Sequence, residues 1–229
     1  MTIVVVSGTG TEIGKTVVTA ALAAAAGDRR VAVLKPAQTG LAPGEPGDAA
    51  EVVRLAGGHV TAYELARFPE PLAPATAARR AGMAPVRPHD IAEAAQKLAT
   101  EYDLVLVEGA GGLLVRFDDE GATLADAAGL MAAPVLVVVP AGLGTLNFTA
   151  LTAEALRSRG LECLGLVVGS MPAEPDLAAR CNMSDLPLVS GARLLGVVPA
   201  GAGSLDPADF RARAASWLAP ELGGNRAAG

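Results

Sequence analysis

Two kinds of apolar pattern alternate along the chain. Residues 2–6, 31–34, 104–107, 135–139, 164–168 and 194–198 form short runs rich in β-branched side chains, and each is continuously apolar. That is the pattern of parallel strands covered on both faces. Between them lie helical stretches. Residues 15–26 are alanine-rich, 90–101 carry apolar residues at helical spacing, and 145–159 run up to a stop at Gly160. Strands alternating with helices predict an α/β fold, a doubly wound and mostly parallel sheet between two helical layers. The loops after the six strand ends (8–16, 35–39, 108–112, 141–147, 169–172 and 199–203) each carry glycine, a charge or a hydroxyl. Ligands of such folds bind outside the carboxyl ends of the strands. The Pro- and Gly-rich stretch 36–47, directly after a strand, is expected to be an ordered active-site loop.

Composition narrows the class. A chain of 229 residues suits one domain, taken as 1–229, and is long enough to bury a full core. Alanine dominates the 51% of apolar residues and aromatics are 3%, which suits close-packed helices on a sheet. The formal charge of −6 has no block of like charges, so no footprint for nucleic acid or anionic membrane is expected. No secretory pattern precedes the first strand, and no apolar run approaches the roughly 20 residues of a membrane helix. Cys163 and Cys181 are too few for a disulfide framework or a zinc site. They are expected to be buried small apolar residues in a reducing cytoplasm. His59 and His89 read as surface residues, and Trp217 as a packing residue of the last helix. The Ala/Gly-rich tail beyond Pro220 is expected to fray.

The first loop carries the sharpest chemistry. Gly8-Thr9-Gly10-Thr11-Glu12-Ile13-Gly14-Lys15-Thr16 follows a strand and opens a helix, whose free amides can cradle phosphate. Lys15 is placed to neutralise β/γ-phosphate oxygens and Thr16 to ligate magnesium. The spacing departs from the common phosphate-loop pattern, because its leading glycine falls on Thr9, with Gly8 and Gly10 on either side. Glu12 is an unusual charge beside a polyphosphate, and fits there if it faces the ribose or a substrate ammonium.

Three further constellations follow. Lys35-Pro36-Ala37-Gln38-Thr39-Gly40 aims a lysine into the presumed site, where it can stabilise charge on a transferring phosphoryl or carboxylate group. Glu108, in Glu108-Gly109-Ala110-Gly111-Gly112, ends a buried strand where phosphate-loop enzymes often place a metal-binding acid. Asp48 is either a second magnesium ligand or the N-cap of a helix running to Gly57. Leu143-Gly144-Thr145-Leu146-Asn147 begins a helix whose amides form an anion site, suited to a carboxylate.

In this order and spacing, these motifs closely resemble the dethiobiotin synthetase family over roughly residues 2 to 205. The segment Phe68-Pro69-Glu70-Pro71-Leu72-Ala73-Pro74 is also in place. The resemblance accounts for the doubled Gly-Thr form of the loop. It implies a magnesium- and ATP-dependent cyclo-ligase of biotin synthesis, acting on 7,8-diaminononanoate and carbon dioxide through a carbamate and its phosphorylated form. Lys35 and Lys15 would be catalytic. Thr16, Asp48 and Glu108 would hold the metal. Nucleotide contacts would come from Gly10 through Val17 (Thr11, Glu12, Ile13, Gly14, Lys15 and Thr16 between them), from Asp48, and from Glu108, Gly109, Ala110 and Gly111. Thr11, Lys35, Thr39 and Gly111 would hold the diamine end. Gly144, Thr145, Leu146 and Asn147 would hold the substrate carboxylate across the interface of a homodimer.

One departure concerns the base. Many members carry an adenine-reading asparagine after the fifth strand, where this chain has Gly169 and Ser170. Recognition then falls to backbone near Gly169, Ser170, Val198, Pro199 and Ala200, and a weakened preference for ATP over other nucleoside triphosphates is expected. Two rivals are weaker. A ParA/MinD-like ATPase switch would carry an extra loop lysine where Gly10 stands. A cobyrinate amidating synthetase needs a glutaminase domain with a suitably placed cysteine and histidine.

Overall fold

The computed structural model describes residues 2–226. Seven strands form one sheet in the order β3-β2-β4-β1-β5-β6-β7, and every pairing is parallel. The strands are β1 (Thr2–Gly8), β2 (Val31–Thr39), β3 (Val60–Phe68), β4 (Leu104–Glu108), β5 (Val135–Val139), β6 (Cys163–Met171) and β7 (Leu194–Pro199). The helices are α1 (Lys15–Ala24), α2 (Asp48–Ala56), α3 (Pro74–Ala81), α4 (Pro88–Leu98), α5 (Leu124–Met131), α6 (Thr145–Ser158), α7 (Leu177–Ser190) and α8 (Pro207–Trp217).

The continuous apolar runs are explained by a core on each face. Val4, Val6, Val31, Val33, Leu104, Leu106, Leu136 and Val138 pack with residues of α1, α2 and α8. The intervening Val5, Ala32, Leu34, Val105, Val107, Val135, Val137 and Val139 pack with residues of α3, α4, α5 and α7. Successive strand residues point to opposite faces, so a strand covered twice leaves no position for polar side chains until its end. The expected doubly wound, three-layer α/β fold is the one observed.

Several expectations need correction. β3 was not foreseen. It is an edge strand, half-exposed along most of its length, and its sequence Val-Thr-Ala-Tyr-Glu-Leu-Ala-Arg-Phe lacks a continuous apolar run. The stretch 36–47 is not all loop, because β2 continues through Thr39 by pairing with β3 as far as Thr39 and Phe68. Pro36 is tolerated there because β2 leaves β4 after Leu34 pairs with Val107, so a missing N–H disrupts no second ladder. Similarly, β6 runs on to Met171, so Gly169 and Ser170 end a strand rather than follow one. Cys163 is half-buried and Cys181 exposed, not core residues. His59 is half-buried with its ring Nε2 3.0 Å from Ala23 O, whereas His89, in the first turn of α4, is exposed as expected. Trp217 packs edge-on against Phe210, as expected of the last helix. Fraying does not begin at Pro220: Leu222 is buried, and Asn225 and Arg226 donate back to the carbonyls of Ala215 and Leu218. Residues 227–229 lie outside the described part. Among the described residues no helix is long and apolar enough to cross a membrane.

Candidate active site

The site forms where the sheet parts. β2 and β4 are in register from Val31 opposite Leu104 to Leu34 opposite Val107, and then diverge. One residue further along each strand stand Lys35 and Glu108. By strand parity both turn to the face covered by α1 and α2. A cleft of about 760 Å³ opens there, walled by the phosphate loop, β2, the start of α2, Pro71–Pro74 and Ala110–Gly111.

The two strand-end side chains meet. Lys35 Nζ lies 2.9 Å from Glu108 Oε1 and donates to Gly109 O at 3.1 Å. It also lies 2.5 Å from Asp48 Oδ2. The Thr16 hydroxyl donates to the same Glu108 Oε1 at 2.9 Å. Glu108 is 1% exposed, and among the described residues its Oε2 has no hydrogen-bond partner. A buried carboxylate oxygen without a donor is costly unless a ligand completes it. Asp48 makes no cap bond, although α2 begins at it; its carboxylate turns to Lys35 instead.

Charge balance follows from this geometry. Burial alone lowers the Lys35 ammonium's pKa, but the Glu108 and Asp48 carboxylates and their hydrogen bonds outweigh it and hold the group above the ordinary lysine value. Lys15 goes the other way. Burial, then repulsion from Lys35, lowers its pKa against the pull of Glu108 and Asp48. Its Nζ curls back onto Gly10 O at 2.7 Å. The phosphate loop thus holds a desolvated cation. The backbone is strained beside it, with Glu12 at a positive φ of 57°.

The loop is braced from β6. Gly14 precedes α1 at φ 93°, and a Cβ there would lie 2.4 Å from Gly169 O. A Cβ on Gly169 would in turn come 2.0 Å from Ile13 O. No side chain fits at either place, so the end of β6 and the phosphate loop touch backbone to backbone.

Eleven of the twenty-four residues expected in the site line the cleft: Thr11, Glu12, Gly14, Lys15, Thr16, Lys35, Thr39, Asp48, Glu108, Ala110 and Gly111. Others border it. Gly10 receives the Lys15 ammonium, Gly109 offers its carbonyl to Lys35, and Ile13 is partly buried against the core. Val17 faces Gly203 beyond β7. Gly169, Ser170, Val198, Pro199 and Ala200 lie outside the cleft wall, beyond the loop. Val198 is fully buried in the core, so its side chain is not free to meet a base; Ala200 N donates to Met171 O at 2.7 Å. Gly144, Thr145, Leu146 and Asn147 start α6 outside the cleft, with Gly144 as its left-handed N-cap. Gln38 and Val115 also line the cleft, with no role expected from the sequence. Gln38 sat within the quoted lysine motif, but no spacing rule assigns a task to a strand glutamine.

The donor set suits magnesium. Two carboxylates and a hydroxyl are hard oxygen donors, and carboxylates beside a polyphosphate repel it unless a divalent cation lies between. Among the described residues no cluster of three His, Cys, Asp or Glu could hold a metal by itself, so phosphate oxygens and water would complete the shell.

Comparison with known proteins identifies the family. A family model described as "AAA domain" matches residues 2–207. The chain is 72% identical over 226 residues to the ATP-dependent dethiobiotin synthetase BioD of Streptomyces coelicolor, covering 98% of this chain and 94% of the relative. It is 60% identical over 221 residues to the protein of that name from Rhodococcus jostii, covering 95% of each. Among solved structures it resembles the MinD of the Aquifex aeolicus MinC:MinD cell division complex, with TM-score 0.59, 14% identity, and 93% and 86% of the two chains covered. It also resembles the Pyrococcus furiosus cell division ATPase MinD, with TM-score 0.55, 22% identity, and 90% and 88% covered. At these identities the likeness to the MinD proteins is one of fold alone.

Proposed function

The chain belongs to the ATP-dependent dethiobiotin synthetases, ligases of biotin biosynthesis, and we propose that the cleft between β2, β4 and the phosphate loop performs their ring closure. One amine of 7,8-diaminononanoate attacks carbon dioxide and loses a proton, giving a carbamate. A carbamate oxygen attacks the γ-phosphorus and ADP leaves. The second amine then attacks the activated carbonyl carbon, loses its proton and expels phosphate, closing the ureido ring.

The observation that carries this reading is the Lys35 ammonium, buried at the sheet's parting and kept charged by two carboxylates. A cation so placed is poorly suited to act as a base, and well suited to stabilise the carbamate and the transferring phosphoryl group. Lys15 neutralises the β/γ-phosphates after leaving Gly10 O. Thr11, Thr39 and backbone near Gly111 hold the diamine end, and Glu12 faces the ribose or an amine. Carbamate formation needs no strong base, so the rate comes from orientation and charge stabilisation.

Thr16, Asp48 and Glu108 would hold magnesium, with the orphaned Glu108 Oε2 as the supporting observation. Magnesium bound there supplies positive charge to the polyphosphate.

The substrate carboxylate is held by the amides of Gly144, Thr145, Leu146 and Asn147 from a second copy of the chain in a homodimer. Supporting this, Leu143, Phe148 and Leu151 stand exposed around that helix start, at 92%, 55% and 55%. Phe148 and Leu151 line a groove together with Gly8, Thr9 and Gly112 of the active-site loops. The seven described strands all lie in one sheet, which supports one synthetase domain. Two free cysteines favour a reducing cytoplasm. The base is read by backbone around Gly169 and Pro199–Ala200, so its identity is loosely specified. Turnover tests the reading: ADP release must require both diaminononanoate and bicarbonate and must be indifferent to DNA. ADP release stimulated by DNA instead would restore the switch alternative.

A further inference from the structure

Asp48 reaches Lys35 from the far end of a loop rich in proline and glycine, 40–47. The preceding Gly47 is the N-cap and has no side chain to accept a helix N–H. That task is taken from β2: Gln38 Oε1 accepts the Asp48 N–H at 2.9 Å, with Gln38 itself 5% exposed. Gln38 pairs in the ladder with Arg67 of β3. Arg67 donates to Ala42 O at 3.2 Å and Glu45 O at 2.6 Å, tying down the loop at two points. Its remaining nitrogens grip Glu64 at 2.9 and 2.7 Å, so the guanidinium cannot turn away. A Cβ on Gly47 would come within 2.6 to 2.9 Å of Glu64, Gln38 and Arg67 together, so the loop passes flush against all three.

We propose that Gln38 and Arg67, the latter held by Glu64, are positioning residues that set the Asp48 carboxylate at the cation site. The inference rests on the reading of Asp48 as a metal ligand. Gln38 lines the cleft and Arg67 does not. Each acts by fixing the backbone that carries Asp48, and Arg67 does so from an edge strand outside the cleft. The device explains why β2 and β3 stay paired beyond the point where β2 and β4 part: the ladder there is the frame for α2.

Manganese binding to the ADP-loaded enzyme, followed by electron paramagnetic resonance, tests this. Gln38→Met and Arg67→Met are each expected to weaken Mn2+ by about tenfold, the lower end of the range for partners that orient a metal ligand. In an Asp48→Asn background the same two substitutions should cost nothing further, since the group they position is gone. Equal losses in both backgrounds, or no loss in either, would overturn the positioning role alone. Unchanged Mn2+ affinity in Asp48→Asn by itself would instead overturn the metal reading of Asp48, and the proposal with it. Arg67 lies at the edge of the sheet, so its variant gives an answer even if Gln38→Met fails to fold.

Discussion

Lys35 Nζ and Glu108 Oε1 stand 2.9 Å apart at the point where two parallel strands separate, and both side chains are almost wholly buried. Each makes the other tolerable. Removing one leaves a desolvated charge, either Lys35 beside the half-exposed Asp48 and the Gly109 carbonyl, or Glu108 beside the Thr16 hydroxyl. Glu108→Gln is therefore expected to destabilise the unliganded protein by about 3 kcal/mol, the usual scale for breaking a buried pair from one side. Urea unfolding measures this, and a midpoint equal to that of the parent protein would contradict it.

Lys15 predicts the opposite sign. Its charged form is disfavoured by burial and by Lys35, so its lowered pKa marks a cation that opposes folding. Lys15→Met should leave the melting temperature of the unliganded protein unchanged or raised, while nucleotide binding is lost. Calorimetry with and without ATP separates the two effects; a lower melting temperature without ligand would count against this account.

At Gly169 the prediction is steric. A methyl group there collides with Ile13 O, so Gly169→Ala must push the phosphate loop off β6. The expected cost is about 1–3 kcal/mol of stability, as for other overpacked sites, with weaker binding of every nucleotide alike. In the parent protein, discrimination among ATP, CTP and GTP should fall well short of the roughly 10⁴-fold that a dedicated hydrogen-bonding site reaches. Steady-state rates with each triphosphate decide the point.

Phe148 and Leu143 are exposed beside the start of α6, and a partner that covers them would also bring the Gly144–Asn147 amides to a neighbouring cleft. Phe148→Asp is expected to yield monomers in sedimentation velocity and to raise KM for the diamine. A variant that stays dimeric, or a monomer with unaltered KM, would exclude the shared site.

Much of this was legible in the sequence for a physical reason. Strands buried on both faces must be continuously apolar, so β1, β2, β4, β5, β6 and β7 announced themselves, and the polar residues at their ends had to be the site. Lys35 and Glu108 stand at such ends, while Lys15 and Thr16 were legible from the phosphate-loop motif that follows β1. β3 was silent because an edge strand half-open to solvent carries no such run, and with it the Arg67 and Gln38 ties were hidden. The further course of β2 was hidden too, since Pro36 reads as a strand breaker unless one knows that only one side of the strand is still paired there. Whether Asp48 caps α2 or faces the site depends on its side-chain direction, which spacing does not encode.

The most direct test of the central claim is the single-turnover rate of phosphoryl transfer from ATP to the carbamate, in the parent protein and in Lys35→Ala, at saturating magnesium and substrates. Loss of a preorganised charge at the reacting group predicts a fall of about 10²–10³-fold with nucleotide affinity largely kept. A rate equal to that of the parent protein would contradict it, and would move the stabilising charge elsewhere in the cleft.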